Sequence, residues 1–345
     1  MITILQIPQK SVIIIYSRGR ITICVLFLLF YAALSCFRQI SFLFFPSGER
    51  GFYMDISKYA LFADVADTGN FTKSGERMGY TQPGVSHILK AMEAEFGFPL
   101  FVRTKQGVVP THNAKEILPL VRQLLSVNEQ LEQTISSLNG LTTGHLTIAS
   151  FASIGRSWLP AVIHSYQQSF PGIEIELLEG GTDDIVNWVE NSRADFGLLS
   201  KWNVDSLEWI PLYEDPLMAI LPKDMDMGGK TAFPIKDMAD QPFVISAEGV
   251  DYDIHQVLKE TGIEPDIRFS SMDDHVVISM VANNLGISIL PNLVIGNARA
   301  QIQALPLEPD FSRELGIGIK SFSSLTPAAQ QFITSIQEQI DTFRE

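Results

Sequence analysis

FTKSGERMGYTQPGVSHILKAMEAEFG, Phe71 to Gly97, repeats its apolar residues at helical spacing, yet Gly79 and Pro83 interrupt the repeat where one continuous helix would not tolerate them. Two short helices meeting at a sharp turn satisfy both facts. The first begins near Phe71 or Thr72 and stops at Gly79, a residue suited to the left-handed conformation that closes many helices. Gly75 inside it, unfavourable by about 1 kcal/mol relative to Ala, marks a close helix-helix contact. Thr81 caps the second helix, with Gln82 and Pro83 in its first turn, where proline's missing N–H leaves no bond unmade. Val85, Ile88, Leu89, Met92 and Phe96 form its buried stripe, which leaves Gln82, Pro83, Ser86, His87 and Lys90 together on the opposite face. Upstream, Ile56 to Asp67 reads as a helix with Tyr59, Phe62, Val65 and Ala66 on one side, ended by Gly69-Asn70. This is the layout of a helix-turn-helix, whose second helix enters the major groove of DNA N-terminus first. An ordinary αα-hairpin shares the same periodicity.

Composition bounds what surrounds this stretch. The 345 residues, 46% hydrophobic and 19% charged, suffice for two or three domains with cores of their own. The net charge of −14 is unevenly spread: residues 1–53 carry five Lys/Arg and one acid, 54–115 seven and six, and 116–345 thirteen and thirty-two. A DNA-facing module therefore lies early. Cys24 and Cys36 both fall in the first segment, so neither a disulfide framework nor a cysteine metal site is expected beyond it.

Residues 1–53 look foreign to the rest. Ile21 to Phe37 is an apolar run flanked by Arg18, Arg20 and Arg38, near the length of a bilayer-spanning helix. We read it as the product of a misassigned start with Met54 the true one, since Gly48-Glu49-Arg50 can be encoded by a purine-rich ribosome-binding sequence just ahead of Met54. Read literally it is a signal anchor, the alternative.

After the helix-turn-helix and its expected wing (54–111), residues 112–140 form a linker helix. Ile117, Val121, Leu124, Leu131, Ile135 and Leu138 alternate in steps of four and three, the repeat of a two-helix seam, with Asn128 between Leu124 and Leu131. The expected dimer seam is thus Val121, Leu124, Asn128, Leu131 and Ile135; packing of this helix on its own protein core is the alternative. Pro119 should bend the helix or mark its effective start.

From residue 145 to 345, strand-like and helix-like segments alternate. LTIAS, WLPAVIHSYQQSF, IEIELLEG, DDIVNWVENS and FGLLS make a βαβαβ series. PLMAILP begins a second, similar unit containing FVIS, DYDIHQVLKETG, DIRFSS, DDHVVISMVANN and GISILP, and ELGIGIKSF returns to the first. The fold class is therefore α/β behind an all-α winged helix-turn-helix, with lobe I about 145–215 and 319–345 and lobe II about 216–318.

The stretch YALFADVADTGNFTKSGERMGYTQPGVSHILKAMEAEFGFPLFVRT resembles the N-terminal domain of LysR-type transcriptional regulators. Asn70-Phe71-Thr72 stands for the usual Ser-Phe-Thr, Thr81-Gln82-Pro83-x-Val85-Ser86 for Ser-Gln-Pro-x-Val-Ser, Met92-Glu93 for Leu-Glu, and Gly97-x-Pro99-Leu100-Phe101-x-Arg103 for the approach to the wing. Ser74-Gly75 replaces Ala-Ala, Gly84 replaces Ala, and His87 sits where Arg is common. His cannot copy Arg's bidentate reading of guanine, so the family's base preference does not carry over there. Trp158-Leu159-Pro160, the Phe170-Pro171 turn and Gly286-Ile287-Ser288-Ile289-Leu290-Pro291 resemble the family's effector domain, itself similar to periplasmic binding proteins. The resemblance covers the chain from Met54 onward. It implies that Thr81, Gln82, Pro83, Ser86, His87 and Lys90 face base edges or neighbouring phosphates, while Arg103, Lys105 and Thr111 hold the backbone. Ser86 and Thr111 are equally suited to local capping. It also implies a cytoplasmic, nucleoid-associated homodimer or homotetramer that can engage RNA polymerase and needs no cofactor.

In open α/β sheets ligands sit beyond the C-terminal ends of strands. That rule selects Phe151, Ala152, Ser153, Ser200, Lys201, Ser246, Ala247, Ser270, Ser271 and Asp273 for a small organic effector, a carboxylate being suited to hydroxyls and backbone amides. Each serine could instead cap a helix. Asp251-x-Asp253-x-His255 and Asp273-Asp274-His275 pair carboxylates with a histidine, but at expected helix starts, and no nucleophile-elbow, P-loop or zinc-helix spacing accompanies them, so no enzyme and no metal site is expected. The rival reading is a membrane-anchored solute-binding or sensor protein that uses the leader as its anchor.

Overall fold

The computed structural model describes residues 55–140, 143–202, 204–246 and 252–343. The apolar leader, the Met54 start, Ala247 and Asp251 lie outside them.

Three helices open the fold: α1 (Ile56–Thr68), α2 (Phe71–Met78) and α3 (Gln82–Phe96). Local chemistry defines every boundary. The Asn70 side chain accepts from the N–H groups of Thr72 and Lys73, Gly79 closes α2 at φ 74°, Thr81 accepts from Gly84 N–H, and Gly97 closes α3 at φ 82°. Leu61, Phe62 and Val65 of α1 pack on Val85, Leu89 and Met92 of α3 in one core. At Gly75 a Cβ would lie 2.7 Å from the Tyr80 carbonyl oxygen, so the missing side chain lets α2 press on the turn into α3.

The wing is a hairpin of β1 (Phe101–Thr104) and β2 (Gly107–Pro110). Glu93 sets its entry, its Oε1 accepting from Leu100 N–H at 2.8 Å. Val108 N–H donates to the Gly69 carbonyl at 2.9 Å, and Gly107, at φ 137°, lies so near that carbonyl that a Cβ would come within 2.4 Å. The hairpin is thereby pinned to the end of α1.

The linker helix α4 (His112–Ser137) contains Pro119 in its interior, so this proline neither starts nor ends it. Ala114 and Val121 enter the core of the N-terminal domain. Further along, the buried Gln133 donates to the His145 carbonyl at 2.6 Å and to Glu129, and accepts from Ala328 N–H at 3.1 Å.

In lobe I, β3 (Gly144–Ser150) pairs in parallel with β4 (Ile173–Glu179) and β5 (Phe196–Ser200). A short α5 (Ala152–Gly155), α6 (Leu159–Ser169), α7 (Thr182–Glu190) and α11 (Pro327–Gln339) cover this sheet. Its core joins Leu146, Ile148, Tyr166, Phe196, Leu198 and Phe332. The 15-residue β6 (Glu208–Pro222) leaves lobe I: its first half pairs with β12 (Ser312–Ile319), its second with β10 (Ser288–Pro291) and β11 (Ile302–Glu308). Lobe II adds β7 (Phe233–Pro234), the parallel pair β8 (Pro242–Ser246) and β9 (Asp266–Ser271), and helices α8 (Tyr252–Thr261), α9 (Asp274–Ala282) and α10 (Asn292–Ile295) around Ile220, Phe243, Val277 and Ile289. Strands β6 and β12 therefore carry the chain between two α/β lobes.

One buried acid makes lobe I sensitive to pH. Burial pushes the Asp195 carboxyl up to about 6, although it accepts from Thr147 N–H at 2.7 Å. Between its ordinary value of 3.8 and about 6 the native chain binds more protons than the unfolded one, so stability falls as pH rises through that window. The residue as a whole is half-buried, so we take about 1–2 kcal/mol of the roughly 3 kcal/mol that complete burial would imply. Asp195→Asn keeps an acceptor for Thr147 and should raise stability by that amount above pH 6, flattening the profile between pH 4 and 6. Urea unfolding across that range checks it; an unchanged profile removes Asp195 as the cause.

Candidate DNA interface and ligand cleft

Thr81, Gln82, Pro83, His87 and Lys90 are exposed on the first half of α3, with Ser86 half-buried among them. This is the side opposite Val85, Leu89 and Met92, as 3.6-residue periodicity requires. Arg103 and Lys105 are exposed on the wing, and the Arg103 guanidinium sits 6.0 Å from the Phe71 ring centroid, beside the start of α2. Thr111 is placed differently. Its hydroxyl donates to the Pro99 carbonyl at 2.8 Å and accepts from Ala114 N–H at 3.2 Å, so it caps α4 and is already engaged on both counts. The surface thus offers polar donors and one cation from a helix, with two further cations from a hairpin beside it.

Between the lobes lies a cleft of about 840 Å³. Phe151, Ala152 and Ser153 line it from lobe I and Asp273 from lobe II. The remaining described residues expected at a ligand are absent from its lining. Ser200 Oγ donates to Asp253 at 2.7 Å, Ser246 Oγ to Asp274 at 2.8 Å, and Lys201 pairs with Glu314 at 3.3 Å. Ser271 accepts from Asp273 N–H in a local turn, and Ser270 is exposed on β9. The strand ends of both lobes border this cleft, but carboxylates distant in sequence, Asp253 and Asp274, take up the hydroxyls of Ser200 and Ser246. The Ser200–Asp253 bond itself joins the lobes, as does the 2.8 Å bond from the Tyr252 hydroxyl to Asp183.

Asp273, Asp274 and His275 line the cleft, and the described members of both acid-histidine clusters make local contacts. Asp273 caps α9, accepting from His275 N–H at 2.8 Å, and His255 Nε2 lies 3.1 Å from the Ser246 carbonyl. Among the described residues no group of three or more His, Cys, Asp or Glu side chains could hold a metal ion.

Sequence reasoning missed the cleft's central group. Arg313 of β12 lines the cleft yet is only 2% exposed. Its Nε donates to Asp215 of β6 at 3.0 Å, its Nη2 donates to Ser153 Oγ at 3.2 Å, and its guanidinium lies 5.7 Å from the Phe151 ring centroid. The other Asp215 oxygen accepts from Leu293 N–H, at the start of α10, at 3.0 Å. One buried ion pair on the crossing strands therefore holds a cleft loop of each lobe. Asp215 and Arg313, opposite charges next to the apolar runs of EDPLMAILP and SRELGIGI, were the available signal.

This combination, a winged helix-turn-helix joined by a long helix to two α/β lobes around a cleft, is that of a ligand-responsive DNA-binding protein. Residues 56–115 match the bacterial regulatory helix-turn-helix protein, lysR family, and residues 139–341 match the LysR substrate binding domain. The chain belongs to the LysR family of transcriptional regulators, which are DNA-binding regulators and not enzymes. It is 27% identical over 288 residues to the uncharacterized HTH-type transcriptional regulator YvbU of Bacillus subtilis, spanning 83% of this chain and 98% of that protein. With the HTH-type transcriptional regulator IlvR of Caulobacter vibrioides it shares 29% identity over 272 residues, 76% of this chain and 91% of the relative. Among solved structures, a full-length OxyR variant from Pseudomonas aeruginosa superposes with a TM-score of 0.68 at 20% identity, covering 85% of this chain and 96% of that one. The effector binding domain of QuiR in complex with shikimate superposes with a TM-score of 0.54 at 19% identity, covering 58% of this chain and 99% of that one.

Proposed function

We propose that this regulator reads an approximately two-fold-symmetric operator as a homodimer or dimer of dimers, under control of a small organic effector in the interlobe cleft. The observation that carries this reading is the exposed polar face of α3 flanked by the two wing cations. Gln82, Ser86 and His87 face base edges; Lys90, Arg103 and Lys105 face phosphates. Arg103→Ala should weaken binding to every sequence and lower the salt slope by about one, whereas Gln82→Ala should relax specificity at one position by about 1–3 kcal/mol. Anisotropy titrations on matched and mismatched duplexes at two or more salt concentrations separate these outcomes, and the reverse pattern would mean that the module is docked the other way round.

Dimerisation through α4 is supported by Leu120, Val127, Leu131, Ile135 and Leu138, all more than half exposed. This stripe is displaced from the expected seam at its first half, because Val121 is buried and Leu124 half-buried against the chain's own core. Asn128 donates to Glu132 within the same helix. The seam is therefore read from Leu120 and Val127 into Leu131 and Ile135.

A carboxylate effector is supported by Ser153, by the nearby Arg313 and Arg156, and by the start of α7 at Gly181, where no side chain caps the helix. QuiR, solved with shikimate, has the same lobed fold. Calorimetric titration of the full chain with a panel of small carboxylates tests this: Ser153→Ala should weaken binding about tenfold. Saturable binding untouched by that change would move the site elsewhere. Among the described residues no helix is long and apolar enough to cross a membrane. The cytoplasmic, nucleoid-associated location and contact with RNA polymerase follow from this reading and are tested by fractionating cells with and without DNase.

A further inference from the structure

We propose that Arg193 is a coupling residue that conveys the state of the cleft to the DNA-binding domain through Trp188 on one side and Asp67 on the other. This rests on the reading that the cleft takes the effector. Helix α7 has its beginning in the cleft, where Gly180, Gly181 and Asp184 contribute to the lining. The Trp188 ring, nearly two turns further on, folds back over Gly180: a Cβ there would lie 2.7 Å from Trp188 Cη2 and 2.9 Å from Cζ3. The same indole carries the Arg193 guanidinium 5.3 Å from its ring, and Arg193 N–H donates to the Trp188 carbonyl at 2.7 Å. Ser192, between them, adopts φ 54°, a left-handed conformation uncommon outside glycine.

From that turn Arg193 reaches out of lobe I to Asp67 of α1, Nε to Oδ1 3.7 Å, where Arg122 of α4 makes a second ion pair with the same carboxylate oxygen. Asp67 is well placed to pass a displacement on. The next residue, Thr68, shares a 2.6 Å hydrogen bond with Ser74 of α2, and Gly69 holds the wing through Val108. A group entering the cleft against Gly180 moves the indole, and the indole moves the guanidinium. Asp67 then passes from two arginines to Arg122 alone, which releases the end of α1 from lobe I. Coupling follows because the two arrangements differ in their contacts at both ends.

The test needs no added ligand. Gly180→Ala places a methyl group 2.7 Å from the far end of the Trp188 ring and 2.9 Å from Asp184 Cβ, so the indole and the first turn of α7 must both yield. The probe is the fluorescent duplex that the native full-length protein selects from a random-sequence pool. Gly180→Ala should change the Kd for that duplex about fivefold or more, and less than about twofold once Arg193→Gln or Asp67→Asn is also present. An equal change in all three backgrounds, or no change in any, overturns the coupling. Should Gly180→Ala lose the native circular dichroism spectrum, Trp188→Phe in the same cycle with Arg193→Gln gives the same two outcomes. Failure of this cycle leaves effector binding in the cleft intact, and failure of the carboxylate titrations leaves the cycle readable.

Discussion

Asp215→Asn is expected to lower the unfolding free energy by about 3–5 kcal/mol, the scale on which removing one member of a buried ion pair leaves its partner uncompensated. The pair is buried on both sides, at 2% and 3% side-chain exposure, so solvent cannot substitute for the lost carboxylate. Chemical denaturation of the full chain, monitored by lobe tryptophans, measures the loss as a lower midpoint. The double variant Asp215→Leu/Arg313→Met should regain much of that stability, because two apolar side chains of similar volume restore packing without a stranded charge. It should not regain ligand binding, since Ser153 and Leu293 N–H lose their anchors together. A single variant within about 1 kcal/mol of the native protein would show that the pair is dispensable to stability.

The second large effect is on assembly. Leu131→Glu with Ile135→Glu places two carboxylates on the stripe that α4 leaves exposed, at 58% and 55%, and should yield a monomer by sedimentation. Because two reading helices on one body bind two half-sites at high effective concentration, affinity for the full operator should fall about 100-fold or more, while affinity for an isolated half-site stays nearly constant. Leu120→Glu should act in the same direction, whereas Val121→Glu should unfold the N-terminal domain, since Val121 belongs to its core. A dimer that survives the double substitution would place the interface on another surface.

Much of this architecture is legible in the chain itself because its N-terminal signals are local. Asn70, Gly79, Thr81, Pro83 and Gly97 each act within one helical turn, so the helix boundaries can be read from neighbours in sequence. The buried strands β3, β5 and β8 are readable as short apolar runs, whereas the first half of β6, β7 and β11 carry no such signal and are not singled out by it. What sequence spacing does not carry is long-range pairing. Ser200 meets Asp253 across 53 positions, and Arg313 meets Ser153 across 160, and only folding decides whether such a hydroxyl serves a ligand or a neighbour. The dimer stripe failed in a related way. Val121 and Leu120 both fit a four-three repeat, and their division between the domain's core and its surface depends on how α4 lies against α1. Thr111 divides between the two kinds of signal: its capping of α4 is local and legible, whereas the Pro99 carbonyl that also engages its hydroxyl lies across the wing.

Gln133 has a mechanical meaning. One carboxamide fastens the linker rod to a strand edge and to the start of the final helix, and Gly144 leaves room for it, since a Cβ there would lie 2.9 Å from Gln133 Cδ. The rod's base cannot spin about its own axis without breaking those bonds, which makes this end a clamp instead of a swivel. Below the part of α4 that packs into the reading head's core, up to Leu125, and above this clamp, lengthening the rod by one residue would turn the reading head through about 100° and move it off its operator half-site.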